Sequence, residues 1–306
     1  MLRKTLLLTL LFTLLLTACG SASPASGNLI FTDGLGREVK LAPPAQRVVS
    51  LAPSNTEILF AIGAGSQVVG RDEFSDYPAE AASVASVGGS MGQYSAEAIV
   101  ALKPDLVLAA EINTPELVKQ LEDLGLTVYY LKNPLTIEEM YKNLGIVASL
   151  TGHEDEANAL VDSLQTRVKA VDEKIATITD RPVVFYEIDA TDASKPYSYG
   201  PGTFGDLLIA RAGGMNLSTA AGITDSYPQV SLEQIVATDP AMIVLGDSMW
   251  GVTVDSVLTR PGWEGLDAVK NTRIFAFDDN LVSRPGPRLV DGLEQLAKLL
   301  HSELFK

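Results

Sequence analysis

The sequence predicts an α/β protein of two similar lobes with parallel-rich sheets flanked by helices, joined by a long interdomain helix. Three observations predict it. The segment from Ser95 to Leu108 recurs as Ser231 to Val244 in one unbroken register, with Ser95/Ser231, Glu97/Glu233, Ile99/Ile235, Val100/Val236, Ala101/Ala237 and Pro104/Pro240 identical. Short β-branched apolar runs alternate with helical patterns in both halves, as in parallel sheets covered by helices. Between the halves, Glu154 to about Ile178 is periodic and free of Gly and Pro. As a helix rising 1.5 Å per residue it would be roughly 35 Å long, enough to act as a strut between lobes. A single stiff connection of this kind permits small flexing and not a wide hinge.

In chain order, Arg3 and Lys4 precede the leucine-rich run Leu6 to Leu16, which is too short to span a bilayer with margin; Thr17, Ala18 and Cys19 follow. That order reads as a lipoprotein export signal over residues 1–18, with Cys19 as the lipidated residue. Residues 19–28, poor in large apolar side chains, read as a flexible tether. The N-terminal lobe is expected over 29–134, connecting helices over 135–180 and the C-terminal lobe over 181–306. Asp33 to Gly36, between Ile30 and Val39, reads as a hairpin turn. Strands are expected at Val48 to Leu51, Val68 to Gly70, Leu106 to Ala109 and Val128 to Leu131, then at Val183 to Tyr186, Ile243 to Leu245 and Ile274 to Phe277. Ser54 to Glu57 and Thr136 to Glu139 read as capping boxes, opening helices to about Ile62 and Leu150. Further helices are expected from Pro115 to Leu124, near Phe204 to Ala212 and from Pro287 to Leu300. Each copy of the repeat combines a Ser cap, a Glu in the first turn, a Pro at the exit and a buried strand.

The formal charge is −15. Without Arg3 and Lys4, 21 basic residues would face 38 acidic ones, a charge of about −17. Such acidity argues against a nucleic-acid partner. With Cys19, the only cysteine, used as an anchor, no internal disulfide is available. The two histidines, His153 and His301, stand too far apart for a zinc site, so no metal and no resident cofactor is expected.

Arg47 to Glu57, Phe74 to Pro78, Ile99 to Leu106 and Tyr197 to Gly202 resemble the helical-backbone class of ABC-importer substrate-binding proteins. Within that class the chain is most similar to the cobalamin binders, with ferric-siderophore and haem binders as cousins; the likeness runs from about Leu29 to the end. The resemblance implies a non-catalytic, monomeric binder, held by its lipid on the outer face of the cytoplasmic membrane. It would capture a corrinoid or iron chelate between the lobes and pass it to a two-subunit permease. It also implies that Glu97 and Glu233 dock onto that permease. The implied cleft residues are Phe74, Tyr197 and Tyr227, with Tyr94 and Trp250 on neighbouring cleft segments, Arg284 as a cleft arginine and Asn280 as its polar neighbour. Ser90 and Ala110 stand where cobalamin binders carry tryptophan, which makes the pocket less aromatic. Arg71 and Lys195 are the other candidate cations for an anionic ligand.

Two further motifs compete. Gly200, Gly202 and Gly205 fit G-x-G-x-x-G with Asp225 downstream, but Pro201 removes an N–H where a pyrophosphate needs donors. A loop carrying its backbone into the cleft accounts for the glycines instead. Gly246-Asp247-Ser248 is similar to the nucleophile motif of some serine hydrolases, making an exported hydrolase centred on Ser248 the alternative from another class.

Overall fold

The computed structural model describes residues 29–306; the expected leader, Cys19 and the whole tether lie outside the described residues. The chain opens with the antiparallel hairpin β1 (Leu29–Thr32) and β2 (Glu38–Leu41). Asp33 fixes its turn by accepting from the Leu35 and Arg37 backbone N–H groups and pairing with the Arg37 guanidinium. Gly34 N–H then donates to the Tyr130 carbonyl, which seats the hairpin against the first lobe.

That lobe is built on β3 (Val48–Ser50), β4 (Val68–Arg71), β5 (Leu106–Ala110) and β6 (Val128–Leu131), all parallel in the order β4-β3-β5-β6. The helices α1 (Pro53–Ala61), α2 (Ala96–Ala101) and α3 (Pro115–Asp123) connect these strands. Two helices follow, α4 (Ile137–Thr151) and the 22-residue α5 (Glu154–Ile175). The second sheet comprises β7 (Val183–Asp189), β8 (Tyr197–Ser198), β9 (Met215–Asn216), β10 (Met242–Leu245) and β11 (Ile274–Ala276). Its order is β11-β10-β7-β8, with β9 also beside β7 and only β8 antiparallel. Around it lie α6 (Phe204–Arg211), α7 (Leu217–Ala220), α8 (Leu232–Thr238), α9 (Val254–Leu258), α10 (Asp267–Lys270), α11 (Asn280–Ser283) and α12 (Leu289–Leu300).

Period-2 alternation along the strands partitions the core. Val48, Leu106, Leu108 and Tyr129 of the first sheet, and Val184, Tyr186, Met242 and Val244 of the second, belong to one continuous apolar cluster with α4, α5 and α12. The opposite faces serve separate cores: Val49, Val107 and Val128 with Ile99 and Leu121, and Phe185, Ile243 and Leu245 with Ile235 and Trp263. Each sheet thus gives one face to its own lobe and one to the shared connector. The connection is therefore a helical layer in place of the lone strut expected. Arg167 on α5 reaches Asp291 (2.5 Å) and Glu294 (2.6 Å) on α12. Arg211 at the end of α6 reaches Asp172 (2.8 Å) on α5 and Glu138 (3.2 Å) on α4.

The repeat is structural as well as sequential. Ser95 Oγ accepts from Ala98 N–H and Ser231 Oγ from Gln234 N–H, and each capped helix leads into a strand inside its own sheet. The residue before each Pro is left-handed, Lys103 at φ 49° and Asp239 at φ 48°. Both expected capping boxes differ from the reading. The α1 helix begins at Pro53, so Ser54 lies within it and caps nothing. Glu139 does not close on its own N-cap; its carboxylate takes the Leu135 N–H (2.7 Å), one residue earlier. Helix α5 stops at Ile175 and not Ile178, where Thr177 bonds back to the Lys174 carbonyl and tightens the last turn.

Candidate functional site

A cavity of about 910 Å³ lies between the lobes. Its first wall comes from the segments that leave β3, β4 and β5: Ala52 to Ser54, Asp72 to Phe74 and Ala110 to Ile112. The facing wall comes from segments after β10 and β11, chiefly Met249, Trp250, Asp279 and Asn280. Every one of these segments follows the carboxyl end of a parallel strand, where open α/β sheets characteristically place ligands. The volume sits at the upper end of small-molecule sites, so a bulky ligand fits.

Phe74, Tyr94, Trp250, Asn280 and Arg284 are brought together on this cavity; Tyr197 and Tyr227 are not among its lining residues. Trp250 is 76 % exposed and Phe74 51 %, so two aromatic faces stand open to an incoming molecule from opposite lobes. Tyr94 offers only its ring. Its hydroxyl donates to the Leu51 carbonyl (2.8 Å) and accepts from Asn113 (2.9 Å), and burial together with the Asp72 charge pushes its pKa up to about 12. Tyr227 is 60 % exposed and packs on the buried Tyr199 at 6.0 Å between ring centres, and the Tyr199 hydroxyl donates to Asp279 (2.9 Å) of the cavity wall. Ala110, Gly89 and Gly92 line the first lobe's wall and leave the room that large side chains would fill; Ser90 does not reach it.

Arg284 is not a free cation. Its Nη1 donates to Glu57 (3.0 Å) and Asp76 (2.7 Å), and its Nη2 to the Phe74 carbonyl (3.3 Å). Glu57, almost wholly buried, also receives Nε and Nη2 of Arg288 (2.8 and 2.5 Å). Arg288 lies 3.9 Å above the Tyr77 ring. Burial alone would lower the Arg288 pKa, but the Glu57 hydrogen bonds and charge raise it above its ordinary value. One carboxylate of the first lobe thus clamps two arginines of the second at the edge of the cavity. Sequence reading missed Glu57 and Arg288 because Glu57 looked like a capping residue. The available signal was the polar run Ser54 to Glu57 on a helix buried all along that stretch. Thr56 and Asn55 there are also tied inward, to Ser50 and Ser75 and to the Leu108 carbonyl.

The cavity is acidic. Asp72, Glu73, Asp76, Glu111 and Asp279 line it against Arg284 alone, which Glu57 and Asp76 already neutralise. Burial raises the pKa of Asp72 despite the Ser75 and Phe74 hydrogen bonds, and that of Asp279 despite those from Tyr199 and Tyr186. The other candidate cations are committed elsewhere. Arg71 holds the carbonyls of Ala81, Asp72 and Glu73, and Lys195 pairs with Asp192 at 3.7 Å.

The glycine-rich loop does not enter the cavity lining. A Cβ on Gly200 would stand 1.9 Å from the Asp225 carbonyl oxygen and one on Gly205 2.2 Å from the Tyr199 ring, so close packing within the second lobe explains these glycines. Ser248 Oγ donates to the Phe277 carbonyl (3.2 Å). His301 is turned toward the Gly213 carbonyl and Glu303, and His153 toward Glu156, so no hydrogen-bonded serine–histidine pair forms among the described residues. No group of three or more His, Cys, Asp or Glu suited to a metal ion occurs there either. Glu97 and Glu233 are exposed in the first turns of α2 and α8, and neither forms an ion pair among the described residues.

Two sheet-centred lobes with a cavity at their strand ends define a solute-binding protein. The chain belongs to the family described as periplasmic binding protein, whose model matches residues 48–281. It is 34 % identical over 277 residues to an uncharacterized ABC transporter substrate-binding lipoprotein of Bacillus subtilis, covering 90 % of this chain and 86 % of that one. A cobalamin-binding protein of Halobacterium salinarum is 30 % identical over 279 residues, 88 % of this chain and 73 % of that one. Among solved structures, a periplasmic heme-binding protein of Roseiflexus in apo form superposes with a TM-score of 0.76 at 29 % identity, covering 85 % of this chain and 99 % of that one. No described helix is long and apolar enough to cross a membrane.

Proposed function

We propose that this protein is the extracytoplasmic substrate-binding lipoprotein of an ABC importer, anchored through Cys19, and that its ligand is a corrinoid of the cobalamin type. The observation that carries the ligand class is the charge of the cavity: beyond the Arg284–Asp76 pair, Asp72, Glu73, Glu111 and Asp279 line it with no further lining cation among the described residues. Haem brings propionates and many ferric siderophores bring net negative charge, so both would meet like charge on entering the cavity. Cyanocobalamin is electrically neutral and carries primary amides around its macrocycle. Those amides supply N–H donors to carboxylate acceptors, while Phe74, Tyr94 and Trp250 supply rigid apolar area for the ring. Ligand capture is non-catalytic, and the exposed Glu97 and Glu233 dock the loaded protein, as a monomer, onto a two-subunit permease.

The test is titration of the chain begun after Cys19 with cyanocobalamin, cobinamide, haemin and a ferric siderophore, read by tryptophan fluorescence. Trp250 is on the cavity and Trp263 is 1 % exposed in a separate core, so quenching by a bound ligand should vanish in Trp250→Phe. Tighter binding of haemin or the siderophore than of either corrinoid would overturn the ligand assignment.

A further inference from the structure

Helices α2 and α8 share more than their carboxylates. In each copy of the repeat the Ser is a cap, the Ile is fully buried and the Pro ends the helix, so folding accounts for those three identities. It does not account for the others. Glu97, Val100 and Ala101 are exposed, and so are Glu233, Val236 and Ala237. Val100 is 40 % and Val236 48 % exposed. Spacings of three and four residues put each trio on one helix face. A single exposed valine needs no explanation. The same valine on the same face beside the same unpaired carboxylate, twice in one chain, does. Valine is also a mediocre choice for an exposed helical position. Between the copies the flanking positions have drifted, Ala98 against Gln234 and Lys103 against Asp239, the latter with reversed charge. What stays the same is an acidic residue beside a small apolar stud.

We infer that each helix presents a composite docking patch, Glu97 with Val100 and Ala101 on one lobe and Glu233 with Val236 and Ala237 on the other. The occupant is a membrane permease of two like subunits, each offering a cation beside a shallow apolar depression. Charge complementarity fixes the cation, because neither carboxylate has an ion-pair partner among the described residues and the chain is strongly acidic, at −15. The duplication fixes the symmetry, since one patch used twice matches a partner surface used twice. The inference rests on the docking role proposed above for the two glutamates and adds the apolar half of the contact. In this arrangement the carboxylates steer the encounter and the valines hold the docked complex.

The experiment measures binding of the protein to the importer's permease–ATPase complex in nanodiscs at low and high salt. Val100→Thr with Val236→Thr keeps side-chain volume and charge. It should weaken docking by about tenfold, almost independently of salt. Each single variant should account for a comparable share. Glu97→Gln with Glu233→Gln should weaken docking at low salt and flatten its salt dependence. Cyanocobalamin affinity should stay at its wild-type value in all variants, because every substituted side chain is exposed and away from the cavity, and the valine variants should also melt as wild type. Wild-type docking by the valine double variant, with docking lost in the glutamate variant, overturns the composite patch and leaves the glutamate role standing. Wild-type docking by both double variants overturns the docking role itself. Loss confined to one of the two valines overturns the twofold match.

Discussion

Glu57 is the residue whose neutralisation should be felt most widely. Its carboxylate is 1 % exposed and holds two guanidinium groups that are 12 % exposed, so Glu57→Gln leaves two poorly hydrated cations facing each other across the lobe boundary. Removing one partner from a buried ion pair costs about 3 to 5 kcal/mol, because the remaining charge stays desolvated. The lower end applies here, since Arg284 keeps Asp76 and Arg288 keeps the Tyr77 ring. A loss of about 3 kcal/mol in a chain of this size lowers the melting temperature by roughly 6 to 12 °C. Asp76→Asn is the comparison. It touches the same arginine at a shorter distance, 2.7 against 3.0 Å, but its side chain is 67 % exposed. Water screens that bridge, and its loss should cost about 0 to 1 kcal/mol. Thermal melts of both variants decide the matter: if Glu57→Gln falls by less than about 2 °C, or by no more than Asp76→Asn, the clamp does not bind the lobes together. A second readout uses the same protein. With Glu57 neutral, the edge of the cavity carries one negative charge fewer while Arg284 keeps Asp76, so haemin should be repelled less by Glu57→Gln than by wild type, while the neutral cyanocobalamin changes little.

Three other outcomes follow from the structure. Asp247 is buried beside Glu187, which is itself held by Arg260, and burial followed by the Glu187 charge raises its pKa to about 7. A carboxyl group that binds its proton more tightly folded than unfolded gives stability that is complete below about pH 4 and is lost as pH rises through about 7. Asp247→Asn mimics the protonated acid, so by urea unfolding it should match wild type near pH 4 and exceed it near pH 8; equal stability at both would show that Asp247 is not shifted. Gly200→Ala should destabilise the chain by about 3 kcal/mol, since its methyl would lie 1.9 Å from the Asp225 carbonyl, and an undisturbed melt would contradict that packing. Cys19→Ser should release the exported protein from the membrane fraction on cell lysis. Retention at wild-type levels would rule out lipid at Cys19 as the anchor.

How much was legible in the sequence depended on distance along the chain. Local signals carried well: the Thr136 cap, the apolar strand runs and the uninterrupted pattern of α5 depend on neighbours within a turn or two. The repeat gave the two-lobed plan because it is a comparison of the chain with itself. The short strands β8 and β9 were missed, since two residues on the edge of β7 make no periodic pattern. Side chains whose partners lie far along the chain were read wrongly or incompletely. Arg284 lines the cavity as expected, but its bond to Glu57, 227 positions away, was not foreseen, while Glu57 was expected to cap a helix that begins before it. Tyr197 and Tyr227 were placed by resemblance alone. Both are exposed and outside the cavity lining, while Tyr199 and Tyr186 are buried and hydrogen-bonded to Asp279, a long-range arrangement that no local pattern in the sequence shows.

The Glu57 clamp and the shared core act on the same degree of freedom. One face of each sheet is sealed into the apolar cluster of α4, α5 and α12, so rotating a lobe away would expose buried Leu, Val and Ile side chains. At about 25 cal/mol per Å², even a modest strip of apolar surface opened to water opposes such rotation by several kcal/mol. The clamp adds a polar restraint at the edge of the cavity, where Arg288 immediately precedes the connector helix α12. Apolar and polar restraint together leave the cavity largely preformed in the empty protein, so little of the ligand's binding free energy is spent on closure. Small-angle scattering with and without cyanocobalamin tests this: the radius of gyration should hardly change. In Glu57→Gln, where only the connector remains, a ligand-dependent contraction should appear. A large contraction in the wild type would mean that the connector yields and that the lobes close by a true hinge.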